Sequence, residues 1–125
     1  MWQKVVLIAA AGALGTVSRY GISWLAQRFY FGALPMGTLT VNALGCCLFG
    51  LVWALSEERA LVSTETRNIV LIGFMGAFTT FSTYIFESEQ MMRDSEWLLA
   101  AGNFLVQNIL GLACLFLGIV LARLL

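Results

Sequence analysis

Hydrophobic residues in this chain gather into four long blocks joined by short polar connections. The blocks run roughly from Val5 to Trp24, Thr38 to Ser56, Ile69 to Phe86 and Trp97 to Ala122. Each comes near the ~20 residues that an α-helix needs to cross ~30 Å of hydrocarbon. The pattern predicts an all-α membrane protein, a single domain over residues 1–125 with transmembrane helices at about 5–28, 38–56, 68–92 and 97–123. Pro35 and Gly37 mark the start of the second helix, because proline is best tolerated before a helix or in its first turn. The connections hold most of the charge: Arg28, then Glu57, Glu58, Arg59, Glu65 and Arg67, then Arg93, Asp94 and Glu96. None is long enough to form a soluble domain.

Polar and small residues inside the blocks carry the remaining information. The first helix has Ala11, Gly12, Gly15, Thr16 and Ser18, a set that lets another backbone approach closely where lipid supplies no hydrophobic force between helices. Arg19 follows, past the midplane; it either snorkels to the surface or finds a polar partner or an aqueous vestibule. In the second helix Thr38 and Asn42 share a face, with Gly45 close by. Asn42 either bonds across helices or lines an anion path.

The third block breaks the apolar pattern most sharply. "GAFTTFSTY", residues 76–84, places Thr79, Thr80, Ser82 and Thr83 among Phe78, Phe81 and Tyr84. A membrane helix can open there, near Gly76 to Thr80, provided that the freed backbone is buried in protein or lines water. The three-residue step of the rings predicts one aromatic side, with Phe74 above it. Glu87 and Glu89 are expected at the membrane surface, with Glu87 close to any pore mouth. In the fourth helix Asn103, Gln107 and Asn108 make either a polar track or an interhelical network, and Gly111 and Gly118 mark a close-packing face.

Composition narrows the function. The chain is 60% hydrophobic and 11% charged, with net charge zero and no histidine. No basic face points to nucleic acid. Nucleophile–base pairs, phosphate loops and metal spacings are missing, so an enzyme is disfavoured. Cys46, Cys47 and Cys114 lie inside apolar blocks and read as packing residues. The stretch "VVLIAAAGALG" after Lys4 has the composition of a secretory signal, but the block continues through "TVSRYGISWL" and is read as the first span. Lys4, Arg59, Arg67 and Arg123 on one side face Arg28 and Arg93 on the other, with Arg19 adding to the smaller group if it reaches the surface. That bias barely selects an orientation and permits insertion both ways. Intramembrane acids are absent from this reading, which leaves no material for a cation path of carboxylate rings. Amides, hydroxyls and the positive edges of phenylalanine rings suit a small anion.

"GTLTVN" (37–42) together with "GFMGAFTTFSTYIFE" (73–87) closely resembles the CrcB/Fluc family of fluoride channels, and the likeness covers nearly the whole chain. The resemblance implies a homodimer of two oppositely inserted copies in a prokaryotic plasma membrane. Two fluoride pores would lie between the subunits and let cytoplasmic fluoride leave passively, protecting the cell. Phe81 and Tyr84 would supply ring edges to fluoride and Asn42 an amide, with hydroxyls from Thr83, Thr38 and Ser82. Asn108 would continue the path on the fourth helix. The break would turn the carbonyls of Gly76 and Thr79 from both copies toward a structural Na+ on the two-fold axis. Arg19 would stand at a vestibule, and Glu87 near it.

The sequence departs from the family pattern in places. Tyr84 replaces a phenylalanine, Ile85 and Phe86 replace small residues, and Asn108 and Leu112 stand where a pair of hydroxyl residues is usual. Two other classes share the gross features. A small multidrug-type exporter would carry a carboxylate in its first helix, which is lacking here, and a non-transporting subunit of a membrane assembly would move no solute.

Overall fold

The structure is a computed structural model that describes residues 2–125. It is all-helical among the described residues, with four segments long and apolar enough to cross a membrane. Helix α1 spans Trp2–Arg28 and α2 spans Met36–Glu57, with Pro35 at the cap position immediately before α2. The third segment, Thr64–Arg93, is made of two helices. Its first half, α3, runs through Thr64–Asn68, Ile69–Met75 and Gly76–Phe78. Helix α4 (Phe81–Arg93) forms the second half, and α5 spans Trp97–Leu124.

The third segment begins earlier than hydropathy alone indicates, because Ser63 accepts a hydrogen bond from the Thr66 amide and caps the polar turn "TETRN". From Ile69 to Met75 the helix widens to π-type turns, and the Gly76 amide donates to Leu71 O five residues back. Regular helix is then lost at Thr79 (φ −84°, ψ 159°) and Thr80 (φ −146°, ψ 116°). Gly76 itself keeps helical angles (φ −61°, ψ −28°). The break therefore lies at the C-terminal end of the expected stretch, and hydroxyl residues rather than a glycine form it.

Helix pairs are set by missing side chains. A Cβ on Gly118 would land on the Cys47 carbonyl, and one on Gly50 would strike the carbonyl of Leu115, so α2 and α5 touch backbone to backbone. A Cβ on Gly73 would come within 2.8 Å of both Ala11 Cβ and Ile8 O, and one on Gly15 would meet the Phe74 carbonyl, which brings α1 against the π-type stretch. This is close packing of the kind used where lipid offers no hydrophobic drive. Cys46, Cys47 and Cys114 are free and half-buried.

A small core of Val41, Leu71, Met75 and Phe78 lies where α2 meets α3. Most other large apolar side chains point outward, as they do in a multi-pass protein whose solvent is lipid. Trp24 stacks under Arg28 and Trp53 under Arg67, at ring-to-guanidinium distances of 5.1 and 5.0 Å. Both pairs sit at helix ends, where amphipathic rings meet headgroups. The ion pairs Arg67–Glu57 and Arg123–Glu58 are at the same end of the molecule as Trp53.

Candidate functional site

The site is built around the two extended residues, near the middle of a 30-residue span. Two residues of extended backbone in hydrocarbon leave amides and carbonyls without helical partners. Asn42 on α2 supplies part of what is missing. Its Oδ1 accepts from the Thr80 amide at 2.9 Å and its Nδ2 donates to the Thr80 carbonyl at 3.1 Å. The same Nδ2 donates to Gln107 Oε1 on α5 at 3.2 Å, so one side chain ties α2 and α5 to the break. Both readings of Asn42 meet here: it bonds across helices, and it borders a groove.

Thr80 also starts α4. Its hydroxyl accepts from the Thr83 amide at 3.3 Å and lies 2.8 Å from the Thr83 hydroxyl, which makes Thr80 the helix cap. In a continuous helix the amides of Thr80 and Thr83 would bond the carbonyls of Gly76 and Thr79. Here the first goes to Asn42 and the second to the Thr80 hydroxyl, which releases both carbonyls. The Thr79 hydroxyl turns back to Met75 O at 3.0 Å. Gly76 is on the protein surface, and a Cβ there would meet only Leu71 O, at 3.9 Å.

The break also resets the helical phase, which corrects the expected aromatic side. Phe78 is fully buried in the core and stacks on Phe74 at 5.5 Å, whereas Phe81 is 75% exposed. Tyr84 is buried and meets Phe81 edge-on, with centroids 5.7 Å apart and planes at 65°. Of Phe78, Phe81 and Tyr84, only the last two pair with each other. On the far side of the Tyr84 ring lies Phe104, and Asn108 Nδ2 donates to the Tyr84 hydroxyl at 3.3 Å and to Phe104 O at 2.7 Å. Asn103, fully buried, donates to the Ser88 hydroxyl at 2.9 Å, and Ser88 donates to Tyr84 O. Asn103 is thus an interhelical cross-link between α4 and α5.

Two hollows flank the break. One, of about 300 Å³, is bordered by Asn42, Thr79, Phe81, Tyr84, Gln107 and Asn108. The other, of about 280 Å³, has Arg19, Tyr20, Ser23, Thr38 and Thr83 in its wall. Thr80 lines both. Arg19 has no salt bridge among the described residues and borders the second hollow. Ser82 is exposed and belongs to neither wall.

Glu87 differs from the expected surface position. Its Oε1 accepts from the buried Thr38 hydroxyl at 2.7 Å, and its Oε2 is buried with no hydrogen-bond partner. The extended residues let α4 set off against the start of α2, which turns Glu87 inward. Its carboxyl group is thus half-buried against the start of α2, one residue past the apolar block Ile69–Phe86. Glu89 behaves as expected and pairs with Arg93 at 2.7 Å on the surface. Gln107, Ser88 and Thr80 are the site residues that the sequence did not single out for the path; the one signal for Gln107 was a carboxamide one turn from Asn103.

A family model described as CrcB-like protein, Camphor Resistance (CrcB), matches residues 6–119. The chain belongs to the CrcB family. A relative from Nitrosococcus oceani, named fluoride-specific ion channel FluC, is 58% identical over 123 residues and is covered to 98%, as is this chain. Proteins with the same name from Desulforapulum autotrophicum and Solidesulfovibrio magneticus are 50% and 51% identical, each with 99% of both chains aligned. The CrcB match includes every residue around the break, both hollows and the glycine contacts that close the helix pairs.

Proposed function

We propose that this chain is a fluoride-selective passive channel that lets fluoride leave the cytoplasm and so protects the cell, placed in the inner membrane of a prokaryote. The observation that carries this reading is the break at Thr79–Thr80 with a hollow on each side, one lined by neutral donors and a ring pair, the other by hydroxyls beside Arg19. Fluoride is small, hard and strongly hydrated, so its path must replace water with closely spaced donors. Hydroxyls, amides and the positive edge of Phe81 do this as a series of modest sites, and a series releases the ion where one deep well would trap it. Helix α4 begins at the break, so its positive dipole end also faces the path. The names of the relatives give the ion.

The functional unit in this reading is an antiparallel pair of copies. Phe81, Ser82 and Thr83 are exposed on the single protomer beside the extended backbone. Polar backbone at that depth cannot face lipid. A second copy covers it, and the weak charge bias lets that copy insert the other way round. Four carbonyls, those of Gly76 and Thr79 from each copy, fit a hard cation such as Na+, because both have lost their helical donors. Na+ held there would neutralise facing carbonyl dipoles and fasten the two copies; no step of permeation passes through it. Catalysis has no part in this function.

The test is fluoride-electrode efflux from liposomes that contain the purified protein, with chloride as control. Fluoride efflux well above the chloride rate supports the channel. Equal rates for both ions, or none for either, contradict it.

A further inference from the structure

The hydrogen bonds around the larger hollow leave two donors unspent. Thr80 N–H donates to Asn42 Oδ1, so the Asn42 NH2 group must face the Thr80 carbonyl and Gln107. That fixes the orientation of the Gln107 amide: Oε1 toward Asn42, Nε2 away from it. Gln107 is 8% exposed, borders the hollow, and its Nε2 is buried with no acceptor. Tyr84 is 5% exposed and borders the same hollow. Its oxygen already accepts from Asn108, whose other amide hydrogen is taken by Phe104 O. The phenol hydrogen has no acceptor among the described residues. Buried donors without acceptors are costly, and an acceptor bound between them removes the cost.

We infer that the Tyr84 hydroxyl and the Gln107 carboxamide form an anion-holding step in this hollow, a site for a small hard anion between two neutral donors. The step rests on the reading of the hollow as part of the fluoride path. No carboxylate borders it, so an anion meets no like charge, and no cation borders it, so the ion is held weakly enough to move on. A ring without a hydroxyl at position 84 would offer only its edge. Tyr84 therefore adds a hydrogen bond to the ring contact with Phe81 that the anion would otherwise rely on.

The test uses the full chain in liposomes and reads fluoride efflux against fluoride concentration for Tyr84→Phe, Gln107→Met and, as a control away from the hollow, Gly102→Ala. Tyr84→Phe keeps the ring and its packing. Its half-saturating fluoride concentration is expected to rise about tenfold, the size of one lost hydrogen bond to a charged group. Gln107→Met shifts in the same direction. Gly102→Ala, which lies outside both hollows and has open space around the added Cβ, stays near wild type. Thermal midpoints in detergent are measured alongside, so that a loss of folding is recognised. Unchanged saturation in Tyr84→Phe, or a fall in maximal efflux with the half-saturating concentration unchanged, overturns the step, since the hydroxyl would then only hold Asn108 or a water. A wild-type protein that passes no fluoride overturns the channel reading itself.

Discussion

Asn42 and Thr80 are joined by a two-point contact in which a side-chain amide pairs with a backbone amide, at 2.9 and 3.1 Å. The pairing imitates one rung of a sheet inside a membrane helix. It lets two extended residues exist at a depth where water is absent, and it fixes the Asn42 NH2 group so that it also holds Gln107.

Replacing Asn42 with alanine removes three hydrogen bonds at once. The Thr80 backbone and Gln107 Oε1 are left without partners, so a stability loss of about 2–4 kcal/mol is expected, taking ~1–3 kcal/mol per orphaned group with some relaxation. Thermal unfolding in detergent measures it. A midpoint equal to that of the wild type would mean that water replaces Asn42 at the break.

Phe81 offers its ring edge to the path from an exposed position. Phe81→Ile keeps apolar bulk but removes the quadrupole, and fluoride efflux is expected to fall at least about tenfold, or ~1.4 kcal/mol on the barrier. Size-exclusion chromatography should show assembly unchanged. Efflux at the wild-type rate would remove Phe81 from the pathway.

Gly118→Ala should destabilise the protein by about 1–3 kcal/mol, because the added methyl lands on the Cys47 carbonyl and backbone must move. Gly102→Ala is the control: nothing lies within 4 Å of the new Cβ, and its effect should stay within ~0.5 kcal/mol. Comparable losses for both variants would contradict the α2–α5 contact.

Beyond the end of α2, the Arg123 guanidinium bonds the Glu58 carboxyl at 2.7 and 2.9 Å and holds its pKa below the ordinary carboxylate value. The folded pKa is depressed, so the pair's stabilisation is present above the unfolded pKa and is lost as pH falls through the folded one. Both side chains are exposed and the effect is small and screened by salt. Thermal midpoints of wild type and Glu58→Gln should differ slightly at neutral pH and low salt and converge in acid. A gap that widens in acid would reverse the sign.

The four spans were legible because a membrane helix needs only length and continuous apolarity, which Val5–Trp24 or Trp97–Ala122 display without reference to any neighbour. The break was legible as a region, since hydroxyls crowd residues 79–83. Which residues open within the expected Gly76-to-Thr80 stretch was not: Thr79 and Thr80 do, because Asn42, 38 residues earlier in the chain, supplies a backbone-like partner. The phase change that separates Phe78 from Phe81, and the inward turn of Glu87, follow from that opening and leave no periodic signal. Gln107 was hidden for a similar reason, as its role comes from which end of a carboxamide Asn42 selects.

Passive conduction of fluoride by this chain alone is tested most directly in planar bilayers, by recording the reversal potential under a fluoride gradient with and without an opposing proton gradient. A fluoride channel gives current that reverses near the fluoride equilibrium potential whatever the proton gradient, and that persists when chloride is varied. A reversal that follows protons or chloride, or an absence of current from protein that is folded and inserted, would contradict it.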